Sequence, residues 1–235
     1  MEKNKYIILD FDSTFIQLEG LDELAAIALA DNADKDNLLR QIRQITNEGM
    51  EGLIPLSESL SSRLKLLHAN KKHITVLVKY LEHKISTSIK RNIHFFETNA
   101  DNIYIISSGF KEYILPIVTK FGIKESHVLA NSFIYDDAGN ILGADNTNPL
   151  ATDLGKVKVV KNLNLNGEVY VIGDGFTDYE IKQHGVATKF YAFTENIARA
   201  GVIKVADGVA PSFDEFLYVN KLDMAISYPR NRIKI

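Results

Sequence analysis

Two aspartates one residue apart, Asp10 and Asp12, follow the apolar run Tyr6-Ile7-Ile8-Leu9. Carboxylates at the mouth of a buried strand lose hydration and repel one another, a cost that a cation or a proton normally offsets. The pair therefore predicts a metal site. Mg2+ suits it, because it takes hard oxygen ligands, keeps several waters and is often completed by a substrate phosphate. With a cation beside it, one aspartate is free to act as a nucleophile that passes through an aspartyl-phosphate. A second acidic cluster repeats the arrangement: Val169-Tyr170-Val171-Ile172 runs into Gly173-Asp174-Gly175-Phe176-Thr177-Asp178. Its glycines allow a tight turn, and Asp174 and Asp178 are spaced to reach one cation directly or through water.

Two further groups fall where strands should end. Ser107, Ser108 and Gly109 follow Ile103-Tyr104-Ile105-Ile106 and precede a helical stretch. Hydroxyls and free N–H groups there suit a phosphate oxygen, although Ser and Gly also serve as plain caps. Lys156 sits in the first turn of a helix that continues through Val159, Val160 and Leu163. A cation there opposes the helix dipole, so an anionic neighbour is expected: a phosphoryl group, the acidic clusters, or both. Ligands gather at strand ends in open α/β sheets, which makes the shared location informative.

These residues need a scaffold that delivers strand tips to one edge. Strand-like runs at Tyr6–Leu9, Ile103–Ile106, Val169–Ile172 and, more weakly, Val186–Phe193 alternate with helical patterns. The expected fold is α/β, a doubly wound, mostly parallel sheet covered on both faces. Between Glu19 and Lys84 the spacing is helical throughout, with breaks near Asp31-Asn32, from Gly49 to Pro55 and at Ala69-Asn70. That stretch predicts a four-helix cap inserted after the first strand, so residues 1–16 and 86–235 form the core and 17–85 the cap. Ser132 to Leu142, with Asp136-Asp137-Ala138-Gly139-Asn140 in its middle, reads as a β-hairpin flap.

Composition narrows the function. A net charge of −3, with basic residues scattered, lacks the footprint of nucleic-acid binding. The absence of cysteine removes thiolate metal sites and thiol catalysis. The six histidines show no spacing of a shared metal site. No stretch is long enough to span a membrane, and a cytoplasmic protein is expected.

Together the motifs resemble the haloacid dehalogenase-like superfamily of phosphatases and, within it, the phosphoserine phosphatase family, over nearly the whole chain. The resemblance implies a Rossmann-like core, Mg2+ as cofactor and a small phosphorylated amino acid, O-phospho-L-serine, as substrate. It implies Asp10 as nucleophile and metal ligand, and Asp12 as general acid and base lending the metal its backbone carbonyl. Asp174 and Asp178 complete the metal set; Ser107 and Lys156 hold phosphate, with Ser108, Gly109 and Thr177 near the substrate. Glu19 would receive the substrate's amino group, Arg63 its carboxylate and Met50 its apolar stem. Ser108 stands where that family commonly has glycine, and Leu56 where some members carry an aromatic ring. Two other readings stay open at this point: a phosphatase or phosphotransferase for another amine-bearing phosphate, and a non-catalytic domain sensing a phosphorylated amino acid. The ending Tyr228 to Ile235 alternates like the start of a strand. Similar domains are joined to a phosphoglycerate dehydrogenase in some bacteria, so fusion to or association with a dehydrogenase of serine biosynthesis is a further expectation.

Overall fold

The computed structural model describes residues 4–224; the terminal pattern at 228–235 lies outside them. β1 (Lys5–Leu9) is followed by a wide turn over Phe11–Phe15, in which Ser13 adopts a left-handed backbone (φ 51°) and reverses the chain. Four helices come next: α1 (Gly20–Ala28), α2 (Lys35–Met50), α3 (Leu56–Leu67) and α4 (Lys71–Leu81). The chain leaves for these helices at Ile16 and returns at Ile85, and the two are bridged antiparallel. Gln17 N–H donates to Lys84 O at 2.8 Å and Ser86 N–H to Phe15 O at 3.0 Å, so the outgoing and returning linkers are tied together.

Two short helices, α5 (Thr87–Arg91) and α6 (Ile93–Thr98), lead to β2 (Ile103–Phe110), α7 (Lys111–Val118) and β3 (Val128–Asn131). β4 (Phe133–Tyr135) and β5 (Ile141–Ala144) form the antiparallel hairpin. Lys71 N–H donates to Gly139 O at 3.0 Å and Ile141 N–H to Ala69 O at 2.9 Å, which fastens the hairpin to the start of α4. The chain closes with α8 (Gly155–Asn162), β6 (Glu168–Gly173), α9 (Phe176–Gln183), β7 (Lys189–Phe193), α10 (Ala200–Val205), β8 (Gly208–Ala210) and α11 (Phe213–Val219).

The main sheet runs β3-β2-β1-β6-β7-β8, every pair parallel. Strand period sorts the side chains into two cores. Ile7, Leu9, Ile103, Ile105, Tyr170 and Ile172 pack on one face with Phe96, Tyr113 and Phe213. Ile8, Ile106, Val169 and Val171 pack on the other with Val157, Val160, Ile181 and Val202. Burial on both faces is why these strands read as unbroken apolar runs. The sheet has two strands that the apolar runs did not announce, β3 and β8, edge strands of four and three residues. The run expected from Val186 enters the sheet only at Lys189, because Val186 and Ala187 donate their N–H groups back to Ile181 O at the end of α9. Among the described residues no helix is long and apolar enough to cross a membrane.

Candidate active site

β1 lies where the strand order turns back, with β2 on one side and β6 on the other, a position that opens a crevice beyond the strand ends. Leu9 pairs with Ile172, and Asp10 N–H extends the ladder to Ile172 O at 3.0 Å. The register therefore sets Asp10 level with Gly173 and one step from Asp174. Asp10 is buried; its Oδ1 accepts the Phe11 N–H at 2.7 Å and its Oδ2 lies 3.0 Å from Lys156 Nζ. The same ammonium donates to Asp178 Oδ1 at 2.7 Å. Burial alone would pull the Lys156 pKa down, but the Asp10 and Asp178 carboxylates outweigh it and hold the ammonium above its ordinary range. The anionic neighbours that a first-turn lysine called for are thus in place.

Asp174 is anchored by Arg199 Nε at 3.0 Å and by the Thr14 hydroxyl at 3.3 Å. Asp178 Oδ2 accepts the Gly175 N–H at 3.2 Å. Glycine at 173 is required by close approach: a Cβ there would lie 2.2 Å from the Asp178 carboxyl carbon. Asp10, Asp174 and Asp178, all buried, bring ligand oxygens within 4.8 Å of one another. Burial raises the Asp174 and Asp178 carboxyls, with Asp10 adding to both and Arg199 or Lys156 opposing. The three carboxylates of Asp10, Asp174 and Asp178 share two cations, Lys156 and Arg199. An all-oxygen, under-neutralised donor set of this kind fits a hard divalent cation such as Mg2+.

Asp12 is turned the other way. Its Oδ1 accepts the Gly20 N–H at 2.7 Å, and burial, reinforced by Asp10, pushes its pKa up to about 7 against the pull of Gly20 and Arg63. The site therefore holds one aspartate suited to carry a proton beside another that is ion-paired.

Nine of the twelve residues expected from sequence line a single cleft: Asp10, Asp12, Met50, Arg63, Ser107, Ser108, Gly109, Lys156 and Thr177. Asp174, Asp178 and Glu19 do not line it. Asp178 reaches it through Lys156, whereas Asp174 is bonded to Arg199, which does not line it either; Glu19 accepts the Ser13 hydroxyl at 2.6 Å and stands 3.6 Å from Arg199 Nη2. Burial, with Asp12, Asp174 and Asp22 nearby, lifts the Glu19 carboxyl well above its usual range. Ser107 Oγ accepts the Gly109 N–H at 3.0 Å. Arg63 is 4% exposed; its bonds run to Ser59 O at 3.4 Å and Thr46 Oγ1 at 3.3 Å, and it has no ion-pair partner among the described residues.

Three contributors escaped the sequence reading: Arg199, Thr14 and Tyr113. Arg199 sits six residues beyond the last residue of β7, and the rule that chemistry gathers at strand ends would have pointed to it had β7 been clearer. Thr14 lies in the first motif itself. Nothing in the sequence marks Tyr113, which looks like any aromatic core position of α7.

No family model matches the chain. The chloroplastic phosphoserine phosphatase of Arabidopsis thaliana is 30% identical over 224 residues, covering 92% of this chain and 71% of that protein. A solved phosphoserine phosphohydrolase-like protein from Francisella tularensis superposes with a TM-score of 0.84 at 33% identity, over 92% of this chain and 99% of that one. A phospho-aspartyl intermediate analogue of phosphoserine phosphatase superposes with a TM-score of 0.75 at 22% identity, over 95% and 100%, a likeness of fold.

Proposed function

The chain belongs to the phosphoserine phosphatase family of haloacid dehalogenase-like phosphatases and is a phosphoric monoester hydrolase; on that basis we propose that it hydrolyses O-phospho-L-serine to L-serine and phosphate through an Mg2+-dependent aspartyl-phosphate route. The observation that carries the substrate is the buried Arg63 guanidinium, without an ion-pair partner among the described residues, in the same cleft as Asp10. A buried cation left unpaired is costly, and a substrate carboxylate removes the cost while it binds.

In this reading residues 17–85 are the cap and 1–16 with 86–235 the catalytic core; the antiparallel closure at Ile16 and Ile85 supports that division. Asp10, Asp174 and Asp178, with the Asp12 backbone carbonyl, would hold the cation. Bound there, Mg2+ would neutralise Asp10 and the phosphate so that an anionic nucleophile can approach phosphorus. Lys156, with Ser107 and Gly109, orients the phosphoryl group and keeps Asp10 aimed. One Asp10 oxygen forms the new O–P bond as the ester P–O bond breaks, and Asp12 gives its proton to the departing serine oxygen. Asp12 then takes a proton from the water that attacks the aspartyl-phosphate, which frees phosphate and restores both carboxyls. Arg63 receives the substrate carboxylate, Met50, Ser108 and Thr177 complete the walls, and Glu19, which stands outside the cleft against Ser13 and Arg199, would turn from them to take the ammonium. Association with a dehydrogenase of serine biosynthesis belongs to the same proposal.

The test is phosphate release from O-phospho-L-serine by the purified protein and by Asp10→Asn, with Mg2+ and after chelation. Release by the parent that needs the metal, and none by a folded Asp10→Asn, is expected. Parent-rate hydrolysis by Asp10→Asn would overturn the mechanism.

A further inference from the structure

Tyr113, the third residue of α7, is fully buried and carries a hydroxyl whose proton has no acceptor. A buried hydroxyl without an acceptor is costly, and a native one calls for a role. This one lines the active-site cleft. A Cβ on Gly109 would lie 2.6 Å from the phenol oxygen and 2.8 Å from Asp12 Oδ2, so the two oxygens flank the same spot. On the other side, a Cβ on Gly20 would lie 2.7 Å from the Tyr113 ring. The phenol is wedged between the first residue of α1 and the Ser107–Gly109 turn, and the rings of Phe11 and Phe110, with centroids 6.1 and 6.3 Å away, hold it there.

The charged groups that act on the phenol are Asp12, Arg63 and Glu19, and Arg63 lines the same cleft. Burial and the Asp12 carboxylate raise its pKa well above 10, so it stays an O–H donor even though the Phe110 amide pulls the other way. A fixed donor with nothing to donate to, beside a guanidinium with no counter-ion, has one common complement: a carboxylate.

We propose that the Tyr113 hydroxyl is a specificity-determining substrate contact, donating a hydrogen bond to the carboxylate of the phosphorylated amino acid that Arg63 also holds. The inference rests on the functional reading above. It adds a residue to the carboxylate subsite and explains why glycine is needed on both sides of the phenol, at 20 and 109.

The experiment compares O-phospho-L-serine with O-phosphoethanolamine, which keeps the amine and phosphate but lacks the carboxylate, in the parent and in Tyr113→Phe at saturating Mg2+. The variant is expected to lose roughly 10- to 100-fold in kcat/KM for phosphoserine, through KM. With phosphoethanolamine it should change by less than about 3-fold. The ratio of the two kcat/KM values does not depend on the fraction of folded enzyme, so partial destabilisation leaves the test intact. An equal fall on both substrates places the phenol at the reacting oxygen and overturns the proposal; so does a ratio unchanged from the parent. A parent with no preference for the carboxylate-bearing substrate instead refutes the functional reading and Arg63's part in it, and the carboxylate contact with them.

Discussion

Replacing Arg63 by methionine separates binding from stability, because the same group should be costly to the free protein and valuable to the complex. Arg63 is 4% exposed, and its two hydrogen bonds, at 3.3 and 3.4 Å, are longer than the usual 2.9–3.0 Å. Attraction from Asp12 and Asp22, both of whose carboxyls feel its charge, returns part of the desolvation cost without an ion pair. An uncompensated buried ion costs several kcal/mol, and methionine fills similar volume without charge. Substrate-free Arg63→Met should therefore melt no lower than the parent and as much as a few degrees higher, since about 1 kcal/mol shifts Tm by roughly 2–4 °C at this chain length. Breaking a buried charge pair with the substrate costs about 2–5 kcal/mol, a loss of roughly 30- to 4,000-fold in kcat/KM for phosphoserine. For phosphoethanolamine the loss should stay below about tenfold. Differential scanning fluorimetry without substrate and steady-state phosphate release on both substrates read the two sides. A variant that melts well below the parent, or that loses both substrates equally, refutes the reasoning, because Arg63 would then serve the fold or the phosphate.

Gly173→Ala places a methyl 2.2 Å from the Asp178 carboxyl carbon, so Asp178 must leave its bonds to Lys156 and Gly175. A stability loss of about 1–3 kcal/mol, read from thermal or denaturant unfolding, together with weaker Mg2+ dependence of phosphate release, is expected; a variant matching the parent in both would show that the strand tip is looser than the structure has it. In the first turn of α11, Asp214 accepts from Arg91 and from Asn92 Nδ2. Burial pushes its carboxyl up, but those donors outweigh it and hold the pKa below the ordinary value. With the folded pKa depressed, its contribution to stability is present above the unfolded carboxylate range and fades as pH falls through the folded pKa. Asp214→Asn should thus lower Tm at neutral pH, and the gap to the parent should close below about pH 4; a gap constant from pH 7 to pH 3 would contradict the assignment.

The grouping of charged residues at the strand tips was legible because its determinants are short-range. An apolar run followed at once by Asp10 and Asp12, another by Asp174 and Asp178, and a first-turn Lys156 each carry an electrostatic cost visible within a few residues, and burial turned each cost into a contact. The fold class followed from the same runs, since strands covered on both faces need no alternation. The edge strands β3 and β8 did not, because three or four residues are too few to show a period. Only tertiary structure could decide which residues meet across the sheet. The β1–β6 register levels Asp10 with Gly173, the return at Ile85 sets the helices over the strand tips, and β7 delivers Arg199 to Asp174. Tyr113 is the sharpest case: its sequence says only that an aromatic faces the core, and its hydroxyl gains meaning from Gly20, Gly109 and Asp12, which come from distant parts of the chain. Sequence fixes what a side chain is able to do, whereas its unmet demand for a partner exists only once folding has removed water from around it.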